Sequence, residues 1–159
     1  MIYSEKVINL FDVSDDHFLV QCISSDFEMG LGLASEFNSR YDLRNKIIEY
    51  YRKKPWAGTG YCLVVPSTNV LNLVTKDKYW MKPTYKTIRM ALDSAKMYCL
   101  SKGISKLAMP LLGSGLDELS WDRVSIIVKE VFNDSDIEIL VCKKPVFKRV
   151  INPHNLNQH

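Results

Sequence analysis

A chain of 159 residues that is 47% hydrophobic can bury one substantial core and has no reason to split into two. Its formal net charge of +3 is too mild to mark a dedicated nucleic-acid groove, and Lys53-Lys54 and Lys143-Lys144 have the default reading of solvated basic pairs. No apolar run approaches a membrane span, and Met1 to Leu10 carries Glu5 and Lys6 where a leader would be apolar, so a soluble intracellular domain, cytoplasmic or nuclear, is expected.

The elements alternate along the chain. Residues 4–9 form an expected first strand and 18–23 a second, closed by Gln21-Cys22-Ile23-Ser24. Met29-Gly30-Leu31-Gly32-Leu33-Ala34 then opens a helix that runs through Phe37. Residues 43–53 have helical spacing, with Ile47, Ile48 and Tyr51 on one side, and 55–60 form a turn. Two β-rich runs, 61–65 and 70–75, flank Pro66-Ser67-Thr68-Asn69 and predict a hairpin. Residues 84–101 make the longest helix, with Pro83 before it and Gly103 as its C-cap. A strand at 106–109, a helix at 121–132 and a strand at 137–142 complete the series. The expected fold class is α/β: a three-layer α/β/α sandwich with a mixed, mostly parallel central sheet. One domain covers residues 1–144, and 145–159 lose periodicity as a frayed tail.

Cys22, Cys62, Cys99 and Cys142 are scattered in or beside apolar segments without C-x-x-C spacing, which predicts buried free thiols in a reducing compartment. His17 stands alone and His154 and His159 lie in the polar tail, so neither a metal site nor a histidine-based mechanism is expected.

Chemistry concentrates in Met109-Pro110-Leu111-Leu112-Gly113-Ser114-Gly115-Leu116-Asp117. A strand runs into a glycine loop, and a helix begins near Ser120. Gly113 and Gly115 supply φ > 0 and let backbone N–H groups converge on a phosphate, with a helix N-terminus adding its dipole. Asp117 would repel that phosphate, so it serves chemistry or holds a hydroxyl; a tight turn with a solvated aspartate fits the segment equally well. The Met29 to Ala34 loop repeats the strand, loop and helix pattern, and in an open α/β sheet both loops lie at the carboxyl ends of their strands. Two loops on one crevice suit a diphosphate. No Gly-Lys-Ser/Thr follows the glycines, and Gly30-Leu31-Gly32 lacks a third glycine, so neither standard nucleotide motif is in use.

Lys76 ends the 70–75 run and precedes Asp77-Lys78-Tyr79-Trp80-Met81-Lys82-Pro83-Thr84-Tyr85. A lysine at a buried strand end loses solvation, which lowers its pKa and frees an amine nucleophile. Taken by itself Lys76 is better read as a surface lysine, as are Lys78 and Lys82. Trp80 fits a ligand stack or an apolar edge equally.

Cys22-Ile23-Ser24, Met29 to Ala34, Thr75-Lys76 followed by Lys82-Pro83-Thr84-Tyr85, and Met109-Pro110 through Gly113-Ser114-Gly115-Leu116-Asp117 together resemble the macrodomain superfamily. Within it the chain is most similar to the terminal ADP-ribose protein glycohydrolase branch, over nearly its whole length. The resemblance implies an ADP-ribose pocket. Met29, Gly30, Gly32, Leu33 and Ala34 in the first loop and Leu112, Gly113, Ser114, Gly115 and Leu116 in the second would bind it, with Ser24 and Thr75 at the strand ends. Asn9 and Leu10 would also bind the ligand, Asn9 standing where the family usually has an aspartate that accepts a bond from the adenine amino group; an amide oxygen accepts the same bond without the charge. In that branch a lysine at the position of Lys76 attacks the anomeric carbon of the distal ribose, and an aspartate at the position of Asp117 resolves the sugar–lysine adduct.

The implied activity is removal of mono-ADP-ribose from a carboxylate ester or nucleic-acid base, or deacylation of O-acyl-ADP-ribose, by a monomer that needs no cofactor or membrane. The implied partners are ADP-ribose and an ADP-ribosylated protein, nucleic acid or metabolite. The alternative is a non-catalytic ADP-ribose reader, which has no need of the Lys76 and Asp117 pair. A third reading, nucleic-acid binding, predicts a basic face with steep salt dependence.

Overall fold

Six strands and four helices alternate much as the apolar pattern predicts, in a computed structural model that describes residues 1–52 and 58–145. The Lys53-Lys54 pair, residues 55–57 of the turn expected at 55–60 and all but Pro145 of the expected tail lie outside the described residues. In chain order the elements are β1 (Ile2–Val7), β2 (Phe18–Ser24), α1 (Gly32–Tyr41), α2 (Leu43–Tyr50), β3 (Tyr61–Leu63), β4 (Val70–Lys76), α3 (Tyr85–Lys102), β5 (Lys106–Met109), α4 (Trp121–Phe132) and β6 (Glu138–Lys143).

The sheet order is β1-β6-β5-β2-β4-β3. Every neighbouring pair is parallel except β3 and β4, the predicted hairpin. Helices cover both faces. Ile88, Leu92, Val128 and Phe132 of α3 and α4 pack on Leu71, Leu73, Leu107 and Ile139 of the sheet. Phe37, Leu43 and Ile47 of α1 and α2 pack on Leu19, Ile23, Val70 and Val74 of the other face. Burial on both faces explains why β4 reads as a continuous apolar run rather than an alternating one. Each fully buried Leu, Ile or Phe stabilises the fold by about 1.5–3 kcal/mol relative to exposure.

One polar pair interrupts the core. Gln21 of β2 lies beside Asn72 of β4 and donates to it at 2.8 Å, and Asn72 donates in turn to the Leu63 carbonyl of β3 at 3.0 Å. β2, β4 and β3 are thereby tied in register, since a slip would leave these amides buried and unpaired.

Several boundaries differ from the sequence expectation: the helix expected through Phe37 runs on to Tyr41, and the strand expected at 61–65 stops at Leu63. The first strand is Ile2–Val7 and not 4–9, because Asn9 is taken up as the N-cap of a 3₁₀ turn, Leu10–Asp12. Its Oδ1 accepts from the Phe11 N–H at 2.9 Å, a local bond that asparagine offers in preference to strand pairing. The helix expected over 43–53 stops at Tyr50, where Tyr51 closes it with a backbone bond to the Ile47 carbonyl. α3 meets its expected ends: Thr84 and Thr87 form a reciprocal capping box, and Gly103 at φ +69 closes the C-terminus.

Candidate functional site

The carboxyl ends of β4, β2 and β5 stand side by side in the sheet, so the loops that leave them lie at the same end of it. A break in register between Ile23 and Ser24 shapes this end, setting Ser24 opposite Lys76, and the Ser25 N–H bonds to the Lys76 carbonyl at 2.9 Å. Such irregularities commonly re-aim side chains beside functional sites.

Lys76 and Asp117 meet here. Lys76 Nζ donates to Asp117 Oδ1 at 2.7 Å, and each side chain is only 15% exposed. The charges are partly withdrawn from water, so deleting one partner strands the other at a cost of about 2–4 kcal/mol. Cys22 lies behind the pair. Burial, with the Asp117 charge adding to it, pushes its thiol up to about 12, so it stays protonated beside Lys76. Burial likewise raises the other three thiols, all of them free. Cys99 and Cys142 are buried as expected, whereas Cys22 and Cys62 keep some exposure. Among the described residues no group of three His, Cys, Asp or Glu is arranged to hold a metal ion, and no helix is long and apolar enough to cross a membrane.

The two glycine loops touch. A Cβ on Gly32 would lie 3.2 Å from Leu116 Cδ1, so the loops border the same space. The positive φ expected at both Gly113 and Gly115 is found only at Gly113, φ +73, where a Cβ would also press on Ile88 Cδ1 at 3.0 Å and Leu119 Cδ1 at 3.1 Å. Gly115 is not left-handed, and a Cβ there meets nothing within 4 Å. The same division holds in the first loop, where Gly32 is left-handed and Gly30 faces open space. One glycine of each loop makes the turn and the other leaves room.

Backbone donors are available around that room. Among the described residues, the N–H groups of Gly113, Gly115, Leu116 and Asp117 make no hydrogen bond within the protein. Leu31 begins α1 without a side-chain cap, leaving first-turn N–H groups open as well. Unbonded N–H groups and an uncapped helix start favour an anion. Ser114 is less free than expected, since its N–H and Oγ both bond to the Leu111 carbonyl, at 3.2 and 2.6 Å.

Several of the anticipated ligand residues have their side chains occupied elsewhere. Leu10, Met29 and Leu112 are buried in the core, so only their backbone is left for a ligand. Ser24 is also buried, its Oγ donating to Asp26. Thr75 is buried. Leu33 and Ala34 lie in the first turn of α1, partly buried against the core. Asn9 follows β1, three strands from β2, and its turn packs on α1 through Phe11 and Phe37, whose rings are 4.9 Å apart.

Other residues organise the site without having stood out in the sequence. Asp26 accepts from the Glu28 N–H and the Tyr79 N–H, both at 3.0 Å, joining the first loop to the segment after Lys76. Burial raises its pKa, but the bonds from Ser24, Glu28 and Tyr79 outweigh that and hold the carboxyl below its ordinary value. Ser25 Oγ lies 2.7 Å from Asp77 Oδ1 and strengthens the same join. The run Ser24-Ser25-Asp26 after a strand was the available signal, since such residues form local side-chain turns. Lys82, read as a surface lysine, donates to the Leu116 carbonyl at 2.5 Å. Trp80 is 66% exposed and packs edge-on to Tyr79, with ring centroids 5.2 Å apart.

No protein-family model matches the chain. It is 36% identical over 133 residues to the ADP-ribose glycohydrolase OARD1 of Bos taurus, spanning 84% of this chain and 86% of that protein. The Homo sapiens protein of the same name is 34% identical over the same shares. Among solved structures, the macrodomain of Mycobacterium tuberculosis DarG shares the fold, with a TM-score of 0.79 at 22% identity over 91% of this chain and 99% of that one.

Proposed function

The chain belongs to the macrodomain superfamily, in its terminal ADP-ribose protein glycohydrolase branch, and on that premise we propose that it binds ADP-ribose and hydrolyses it from a carboxylate ester, with Lys76 as nucleophile and Asp117 as acid/base. The observation that carries this reading is the 2.7 Å contact between two partly buried, opposite charges, with Asp117 next in the chain to Leu116, where the two glycine loops meet. A reader module gains nothing from such a pair. A nucleophile and its proton partner need that proximity.

The ammonium proton of Lys76 first passes to Asp117. The free amine then attacks the anomeric carbon of the distal ribose, forming a C–N bond as the C–O bond to the acceptor breaks. Asp117 returns the proton to the departing oxygen. In the second half Asp117 takes a proton from water, the resulting hydroxide attacks the same carbon, and the C–N bond breaks with its electron pair returning to Lys76. Transfer of the proton from Asp117 to the amine restores the pair. The open N–H groups of the loops hold the diphosphate throughout, so the reacting carbon stays within reach of Nζ. Deacylation of O-acyl-ADP-ribose uses the same pocket.

Incubation with a protein mono-ADP-ribosylated on glutamate tests the reading. The native protein should release free ADP-ribose, and Lys76→Ala should not, while keeping its ADP-ribose affinity within a few-fold. Binding without any release by the native protein would make it a reader.

A further inference from the structure

Besides the Lys76 bond to its carboxylate, the segment around Asp117 is held from outside its own loop by Lys82, in the stretch before α3, and by Tyr85, the first residue of α3. The peptide unit before Asp117 is held by Lys82, whose Nζ donates to the Leu116 carbonyl at 2.5 Å and lies 3.7 Å from Glu118 Oε1. The unit after it is held within the loop, with the Glu118 N–H bonded to the Gly115 carbonyl at 3.1 Å. Glu118 then adopts φ +61, a conformation that L side chains avoid without surrounding support. Beyond it, the Leu119 N–H bonds to the Gly113 carbonyl at 2.7 Å, and the Ser120 N–H bonds to Tyr85 Oη at 3.1 Å. The Tyr85 ring is itself fixed by the Arg123 guanidinium, 4.0 Å from its centroid.

Lys82 and Tyr85 are spaced to do this together. Buried Pro83 and the Thr84 cap lie between them, and Thr84 fixes the direction of the chain through its bond from the Thr87 N–H at 3.1 Å. One side chain reaches the near end of the Leu116 to Ser120 segment and the other reaches the far end. Asp117 lies between the two attachments. The Lys82–Glu118 ion pair adds little, being exposed on both sides. The bond to the Leu116 carbonyl matters because it sets where the Asp117 backbone starts.

We propose that Lys82 and Tyr85 are positioning residues, a two-point brace that keeps the Asp117 carboxylate in register with Lys76 during turnover. This rests on the reading of Asp117 as acid/base. Misplacing a reacting group by about 1 Å costs up to about a hundredfold in rate. A lost anchor that lets the segment shift by part of that distance costs less, and two lost anchors cost more.

Steady-state kinetics of ADP-ribose release should be measured for Lys82→Met, which keeps the aliphatic stem, and Tyr85→Phe, which keeps the ring under Arg123. Each should lower kcat about three- to tenfold with KM and calorimetric ADP-ribose affinity within about twofold, and the double variant should lose about thirtyfold or more. Lys82→Arg should restore the rate, since a guanidinium also donates to the carbonyl. Thermal midpoints close to that of the native protein show that the fold is intact. Normal kcat in both single variants and the double overturns the brace, as does a rise in KM at constant kcat, which would make Lys82 a substrate-binding residue. Asp117→Asn separates the two levels. If it turns over normally, the assignment of Asp117 fails; if it is inactive while the brace variants are normal, only the brace fails.

Discussion

Gly113 and Gly115 are two residues apart in one loop, yet their environments predict opposite outcomes on substitution. At Gly113→Ala the new Cβ forces an L residue to hold φ +73, which costs about 1–2 kcal/mol. It also meets Ile88 Cδ1 at 3.0 Å and Leu119 Cδ1 at 3.1 Å, contacts that the buried side of the loop can relieve only by shifting, for about 1–3 kcal/mol more. The total is roughly 2–5 kcal/mol, which for a domain of this size lowers the thermal midpoint by roughly 4–20 °C. Gly115→Ala meets no atom within 4 Å and no left-handed φ, so its stability should stay within about 0.5 kcal/mol of the native protein. Gly115→Glu should fold as well but lose ADP-ribose binding, because a carboxylate fills the space kept clear for a diphosphate and distal ribose. Denaturation curves and calorimetric titrations of the three variants check this. Equal destabilisation at the two positions, or normal ADP-ribose binding by Gly115→Glu, would refute the division of labour between the glycines.

Titration calorimetry should give an ADP-ribose dissociation constant of about micromolar or tighter, on the order of −8 kcal/mol, with adenosine far weaker because it addresses neither loop. Asp26→Asn should cost about 1–3 kcal/mol at pH 7 by weakening the bonds from Glu28 and Tyr79 to a charged acceptor. The Asp26 carboxyl is lowered on folding, so its stabilisation is full above the unfolded pKa of about 4 and fades as pH falls through the folded value; urea unfolding at several pH values should show the variant and the native protein converging in acid. Thr84→Ala removes the cap of α3 and should lower stability by about 1 kcal/mol in the same assay.

The layer order and most element ends were legible because burial on both sheet faces writes apolar runs, while α3 and α4 write helical spacing, α3 between clear caps. The β1 boundary was not, because Asn9 competes for the backbone through its own side chain and so ends the strand early. The same holds for Asp26, whose role depends on two N–H groups of which one, that of Tyr79, is 53 residues distant. The approach of Lys76 to Asp117, 41 residues apart, is a tertiary fact that neither segment announces alone. Only the joint pattern of two loops, lysine and aspartate suggested it. Lys82 is the surface lysine expected, but its bond to the Leu116 carbonyl was not legible, because a lysine in a polar run has no sequence mark that separates a solvated ammonium from one bonded to a carbonyl. The glycines were identified correctly as loop formers but not by type, since left-handed φ and simple clearance use the same residue.

The covalent step is the claim on which the account turns, and intact-protein mass spectrometry of Asp117→Ala after exposure to a glutamate-linked mono-ADP-ribosyl substrate tests it most directly. Solvent can take the Lys76 proton slowly and a glutamate carboxylate can leave unprotonated, but nothing replaces Asp117 in activating water, so the variant should stall with one sugar–lysine adduct at Lys76, and the Asp117→Ala/Lys76→Ala double variant should carry none there. Full activity of Lys76→Ala, with no adduct on Asp117→Ala, would contradict the account and leave direct attack by water in its place.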